Sequence, residues 1–187
     1  DNTSYVISSA GTYTFTGTAT NSSIIVSDDV SGQVTVNLDN VNITNSAPAI
    51  SSQGLATVLL ATSGTNNITS TSSVGINVSG DLNFSGDGYT AIASGSGSNG
   101  IYGDTVTIES GTYVISSGSD GIEATTAINL LGGDITIIAG GQGMATIDTE
   151  NLTICDITID GANLTITSTD RGIHAGHNFT LNSGNVS

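Results

Sequence analysis

The sequence predicts an all-β chain that winds into a parallel β-helix with about three short strands in each coil of 21–22 residues. Three observations predict it: apolar residues recur every second position, Gly, Ser, Asn and Asp interrupt the chain at short intervals, and one step repeats at a regular distance. The length of 187 residues, 36% of them hydrophobic, suits one continuous core. We therefore predict a single β-helix domain over residues 1–187, with more degenerate coils at 1–98 and clear repeats at 99–187.

The repeated step is a glycine followed by a large apolar residue. It occurs at Gly100-Ile101, Gly121-Ile122, Gly143-Met144 and Gly172-Ile173, at spacings of 21, 22 and 29 residues. Two apolar pairs follow within each repeat; the first are Val106/Ile108, Ile128/Leu130 and Phe179/Leu181, and the second are Tyr113/Ile115, Ile135/Ile137 and Leu164/Ile166. One such coil cannot bury its apolar face alone, so the coils are predicted to stack at about 4.8 Å each.

The charge balance excludes several classes of partner. The chain has one Lys or Arg against 16 Asp and Glu, which gives a formal net charge of −15. Such a surface repels phosphate backbones and anionic lipid headgroups, so neither nucleic acid nor an anionic membrane surface is a predicted partner. The sequence also lacks an apolar run long enough for membrane insertion.

Several segments, taken in order, carry a resemblance to a known family. They are Gly11-Thr12-Tyr13-Thr14-Phe15-Thr16-Gly17, Ile24-Ile25-Val26, residues 34–45, Ala49-Ile50, Gly64-Thr65-Asn66-Asn67-Ile68-Thr69 and Asp120-Gly121-Ile122-Glu123-Ala124. Together they resemble the secreted carbohydrate-binding proteins of cellulolytic clostridia, which have a right-handed β-helix similar to that of polysaccharide lyases. The resemblance implies a non-catalytic protein, extracellular or on the cell surface, that binds cellulose or acidic polysaccharide and holds calcium. The Lys-rich outer positions of that family are nearly absent here, with Arg171 the sole basic residue.

Four acidic residues are the candidate calcium ligands. Asp104, Asp120, Glu123 and Asp148 lie on or beside the repeated turn, where adjacent coils can bring them together. Calcium prefers oxygen ligands from carboxylates and turn carbonyls. The alternative is that these acids are solvated turn residues.

No catalytic residues are predicted. Lyase chemistry on this architecture needs a cationic base, and Arg171, beside His174 and His177, is the one available. Hydrolysis needs two carboxylates across a cleft, whereas Asp156 and Asp160 share one strand face. The sequence therefore favours binding over catalysis.

Ten Asn-x-Ser/Thr sequons make a glycosylated surface a further prediction. Their asparagines are Asn2, Asn21, Asn42, Asn67, Asn77, Asn83, Asn151, Asn163, Asn178 and Asn185. Neither end of the chain carries an obvious polar cap, and open strand edges invite the addition of another chain. The alternative function is thus a structural subunit of a filament or surface layer, in which copies stack head to tail.

Ice binding is a minor alternative. Outward threonine pairs such as Thr105/Thr107, Thr165/Thr167 and Thr69/Thr71 suit it, although outward Thr also simply suits β-structure. The aromatic residues expected on the outer surface are Tyr5, Tyr89 and Tyr102.

Overall fold

A computed structural model describes residues 4–147 and 153–187 of the chain. In these two ranges the regular elements are β-strands, and their ladders are parallel, as in β1 with β3 or β16 with β18. The strands are β1 Tyr5–Ile7, β2 Gly11–Thr20, β3 Ile24–Val26, β4 Gln33–Asn45, β5 Ile50–Ser52, β6 Thr57–Ser63, β7 Thr65–Ser70, β8 Ile76–Val78, β9 Leu82–Gly86, β10 Tyr89–Ser96, β11 Ile101–Ile108, β12 Thr112–Gly118, β13 Ile122–Leu130, β14 Asp134–Ala139, β15 Met144–Thr146, β16 Asp156–Ser168, β17 Ile173–His174 and β18 Phe179–Val186. No helix capable of crossing a membrane occurs in these ranges.

The strands stack into a β-solenoid of about seven turns with three faces. Sheet A contains the short strands β1, β3, β5, β8, β15 and β17 and the first parts of β11 and β13. Sheet B contains β6, β9, the first parts of β2, β4, β16 and β18 and the last parts of β11 and β13. Sheet C contains β7, β10, β12, β14 and the last parts of β2, β4, β16 and β18. The predicted parallel β-helix with three strands per coil is confirmed.

The core consists of apolar columns in which each residue sits in register with its equivalents in the coils above and below. In sheet A the column of the repeated step runs through Ile24, Ile50, Ile76, Ile101, Ile122 and Met144, all at most 2% exposed. In sheet C a column of isoleucines includes Ile68, Ile92, Ile115 and Ile137, at most 1% exposed. Burying each such side chain stabilises the stack by roughly 1.5–3 kcal/mol. Both sets of predicted apolar pairs face this core; Phe179 and Leu181, in the last coil, stay 46% and 49% exposed.

The coils differ in length along the chain. In register, positions 24, 50, 76, 101, 122, 144 and 173 are 26, 26, 25, 21, 22 and 29 residues apart. The residue before the apolar one is Ser23, Ala49 and then Gly75 in the early coils, whereas it is glycine in each later coil. From Ile24 to Ile101 the coils are therefore built on the same plan with longer turns, and the first two steps have Ser23 and Ala49 in place of glycine.

Candidate functional site

The outward surface of sheet A carries a line of side chains of mixed chemistry in the middle coils. Asn77, Tyr102 and Glu123 are consecutive in register across β8, β11 and β13. All three are half-buried, so each has one side against protein and one side toward solvent. Together with Asn99 and Asp104, which flank this line, we call them the sheet A site.

Glu123 is held by the neighbouring coil. Its Oε2 accepts a hydrogen bond of 2.8 Å from the Asn99 side-chain amide. Burial raises the pKa of the Glu123 carboxyl, the Asn99 bond lowers it, and the charge of Asp120 adds to the rise. The carboxylate is therefore oriented and partly desolvated, a combination common in binding sites.

Asp104 lies on the other side of Tyr102, at an irregularity in the register of β11 with β13. Its Oδ1 accepts hydrogen bonds from the hydroxyl of Thr126, at 2.6 Å, and from the hydroxyl of Thr125. The pKa of the Tyr102 phenol is raised by burial and further by the charges of Glu123 and Asp104. Tyr102 thus stays a neutral phenol that can donate its proton to a ligand oxygen.

Asp120 is hydrogen-bonded to the coils on either side of it. Its Oδ1 accepts a 2.7 Å hydrogen bond from the backbone N–H of Gln142, and its own N–H donates to Asn99 Oδ1 at 3.1 Å. Asn99, Asp120 and Gln142 precede the glycine of three successive coils, and the side chains of Asn99 and Asp120 each link their own turn to the next. Asp120 is 8% exposed, which leaves it little access to a ligand.

The candidate calcium ligands are thus only partly brought together. The charges of Asp104 and Glu123 both raise the pKa of Tyr102, and the charge of Asp120 raises the pKa of Glu123. Each of the three carboxylates, however, accepts hydrogen bonds from its own protein donors. Within residues 4–147 and 153–187, no three His, Cys, Asp or Glu side chains are grouped so that they could hold a metal ion. The fourth candidate, Asp148, lies outside the described residues. The described carboxylates do not form a calcium site by themselves, and calcium stays a prediction.

The other residues singled out in the sequence are scattered. Arg171 Nη1 lies 3.4 Å from His174 Nδ1, whereas His177 Nδ1 lies 2.8 Å from Asp156 Oδ1, so the two imidazoles have different partners. The bond with His177 lowers the pKa of Asp156. Tyr89 and Tyr102 do face outward. Tyr5 is also exposed, at 51%, but it stands in register with the buried Ile24, and its ring contacts Phe15 at a centroid distance of 5.0 Å.

The sequons are distributed over several faces and turns. Among their asparagines, Asn21, Asn42, Asn67, Asn163, Asn178 and Asn185 are exposed and Asn77 and Asn83 are half-buried. Asn2 and Asn151 lie outside the described residues. Glycosylation stays a prediction.

The raised pKa of Glu123 predicts a pH dependence of stability. The native state holds this proton more tightly than the unfolded chain, so the associated stability is full below the unfolded-state pKa and is lost as the pH rises through the folded-state pKa. Glu123→Gln, which keeps the shape without the charge, is expected to be more stable than the wild type at about pH 7. This advantage should shrink toward about pH 4. Urea denaturation at both pH values measures it, and a pH-independent difference would contradict the assignment.

Chemically, the sheet A site combines an aromatic ring with its phenol donor, two amides and two carboxylates along and beside one line. A sugar hydroxyl both donates and accepts hydrogen bonds, and these groups supply both functions. The sequence identified Tyr102 as an outward aromatic and Asn77 as a sequon, but their alignment with Glu123 and Asn99 was missed. Finding it requires the register, which changes from a 25-residue coil to a 21-residue coil at this point.

Comparisons with known proteins identify a family and a similar fold. A family described as carbohydrate-binding domain-containing proteins matches residues 1–187. Among solved structures, the chain is similar to the polysaccharide lyase-like protein from C. thermocellum, determined as a gadolinium derivative, with a TM-score of 0.70 and 21% sequence identity over 98% of this chain and 87% of that chain. No curated protein matches. The carbohydrate-binding family and the lyase-like fold implied by the sequence resemblance are both confirmed.

Proposed function

Because this chain belongs to the family of carbohydrate-binding domain-containing proteins, we propose that it is a non-catalytic, extracellular module that binds a polysaccharide through the sheet A site. The observation that carries the proposal is the alignment of Asn77, Tyr102 and Glu123 in three successive coils. Their spacing of about 4.8 Å per coil presents an evenly spaced row of three different side chains to a polymer.

The charge of the chain favours a neutral polysaccharide such as cellulose over a polyuronate. The net charge is −15, and the site itself contains the carboxylates of Glu123 and Asp104. A row of uronate groups would be repelled by these carboxylates unless cations lay between them. Carboxylate and amide groups of this kind instead suit the hydroxyl groups of an uncharged sugar.

The position of Arg171, the one Lys or Arg of the sequence, argues against lyase chemistry with a cationic base at the sheet A site. Arg171 belongs to the column Asn99, Asp120, Gln142 and Arg171, three coils along the axis from the coil of Tyr102. This separation is about 14 Å. A base at that distance cannot remove a proton from a sugar held at Tyr102.

The test is affinity for polysaccharides with single-residue variants. Tyr102→Ala is expected to weaken binding of a soluble cello-oligosaccharide about tenfold, because it removes both the ring and the phenol. Isothermal titration calorimetry measures this, and Thr107→Ala, an outward residue of sheet B, is the matched control that should bind like the wild type. Equal affinity for the Tyr102→Ala variant and the wild type would refute the sheet A site.

The same assay separates cellulose, polygalacturonate and calcium. We expect cellulose to retain the protein with or without a chelator. Polygalacturonate should retain it only if calcium neutralises the negative charges of the protein and of the polymer. Retention on polygalacturonate in chelator would overturn the preference for a neutral polymer. Head-to-tail self-assembly and ice binding stay alternatives predicted from the sequence.

A further inference from the structure

The outer surface of sheet C differs from the rest of the molecule in charge. Its strands in the described ranges contain one charged residue, Asp134, although the chain has 16 acidic residues. The Asp134 carboxylate lies at the start of β14 and accepts a 2.8 Å hydrogen bond from the Asn163 side chain. The remainder of this outer surface is uncharged.

The centre of this surface is apolar. On β10 the outward residues are Tyr89, Ala91 and Ala93, and Val114 of β12 is in register with Ala91. Ile138 of β14 follows one strand further, in register with Ser116. We call Tyr89, Ala91, Ala93, Val114 and Ile138 the sheet C platform.

The platform is exposed and flat. Tyr89 is 41% exposed and Ile138 is 50% exposed, although the next residues inward, Thr90 and Ile137, are at most 1% exposed. No hydrogen bond or ring contact holds the Tyr89 side chain among the described residues. Three parallel strands make a surface of roughly 10 by 13 Å. The side chains between Tyr89 and Ile138 are smaller than either of these two, so none of them protrudes above the platform.

We propose that the sheet C platform is a second binding surface, which takes the flat face of a neutral polysaccharide. Sugar rings expose C–H groups on their faces, and these pack against an aromatic ring and aliphatic side chains. Hydroxyl groups at the ring edges would meet the threonines at the border of the platform, Thr65, Thr112, Thr136 and Thr167. The platform is uncharged although the protein is strongly acidic, so it suits an uncharged polymer. A cationic partner would instead be attracted to the acidic residues on the other surfaces.

This inference rests on the proposed function and assigns a different form of the polysaccharide to each of the two surfaces. The sheet A site has convergent polar groups and suits a single soluble chain, whereas the platform is flat and suits the ordered surface of an insoluble polymer. The two surfaces lie on different faces of the solenoid, so one can be changed without the other.

The experiment compares binding to insoluble cellulose with binding to soluble cellohexaose. The double variant Tyr89→Ala/Ile138→Thr is expected to lose about tenfold in partition onto insoluble cellulose and to bind cellohexaose like the wild type. Tyr102→Ala should lose the cellohexaose binding. Leu55→Ser is the matched control, because Leu55 is 86% exposed in the turn before β6 and outside both surfaces.

Each outcome is decisive. If the double variant partitions onto insoluble cellulose like the wild type while Tyr102→Ala loses cellohexaose binding, the platform is wrong and the proposed function stands. Equal loss of cellulose and cellohexaose binding in the double variant also overturns the inference, because it indicates general damage rather than a separate surface. If the wild type binds neither ligand, the proposed function itself fails. A selective loss on insoluble cellulose supports the platform.

Discussion

Gly121→Ala is expected to lower the free energy of unfolding by about 3 kcal/mol, at the upper end of the cost of overpacking a core. A methyl group at this position would lie 2.3 Å from Ile137 Cγ2 and 2.5 Å from the backbone oxygen of Gly143 in the next coil. The Gly143 carbonyl belongs to the ladder itself, because it accepts a 3.1 Å hydrogen bond from the Ile122 N–H. Relief of the contact therefore requires the two coils to separate.

Gly172→Ala is the matched control, since it makes the same change in the same column. A methyl group at Gly172 would have Ile166 Cγ2, at 4.0 Å, as its nearest neighbour. We expect this variant to match the wild type or to gain up to about 1 kcal/mol from the stiffer unfolded chain. Urea denaturation of the three proteins measures the difference. We call Gly100, Gly121, Gly143 and Gly172 the glycine column. Similar losses in both variants would show that this column has a role other than close approach between coils.

The glycine column also explains which parts of the fold could be predicted. At Gly100, Gly121 and Gly143 a Cβ would lie within 2.7 Å of the next coil's backbone oxygen, so these positions are confined to glycine and the repeat is visible in the sequence. In the early coils Ser23 and Ala49 fill the equivalent positions. The same column then has no constant residue, and with coils of 25–26 residues the spacing changes as well.

The binding surfaces were harder to predict, because outward residues are not limited by packing. Alternation identified Tyr89 and Tyr102 as outward residues, but which residues lie beside them depends on the register between coils. Ile138 shows the limit most clearly: Ile137 and Ile138 are consecutive and equally apolar, yet the first is buried and the second is 50% exposed. Alternation from Ile135 already predicts that Ile137 faces the core, but only the pairing of β14 with β12 and β16 shows which outward residues lie beside Ile138.

Asn66→Asp is the second substitution with a large expected effect, about 3–5 kcal/mol of destabilisation at pH 7. The Asn66 side chain is fully buried inside the solenoid, in a column where Val41 and Thr90 are its neighbours and Tyr113 follows one coil further. Its Oδ1 accepts a 2.9 Å hydrogen bond from the Val41 N–H, and its Nδ2 donates to the Ser63 carbonyl at 3.1 Å. A carboxylate keeps the first bond, but it turns the second into repulsion between two acceptors and brings a charge without a cationic partner into the core.

Protonation should reverse much of this loss, which separates the buried charge from a change in shape. A neutral carboxylic acid has nearly the shape of the amide and can donate one hydrogen bond toward Ser63 O. The pKa of the introduced carboxyl is raised by burial, so the stability of the variant relative to the wild type should increase as the pH falls from about 7 to about 4. Asn67→Asp makes the same chemical change at the adjacent, exposed residue and should cost less than about 0.5 kcal/mol at either pH. Denaturation curves of all three proteins at both pH values test this, and a loss at Asn66 that does not depend on pH would mean that packing, rather than charge, determines the residue at this position.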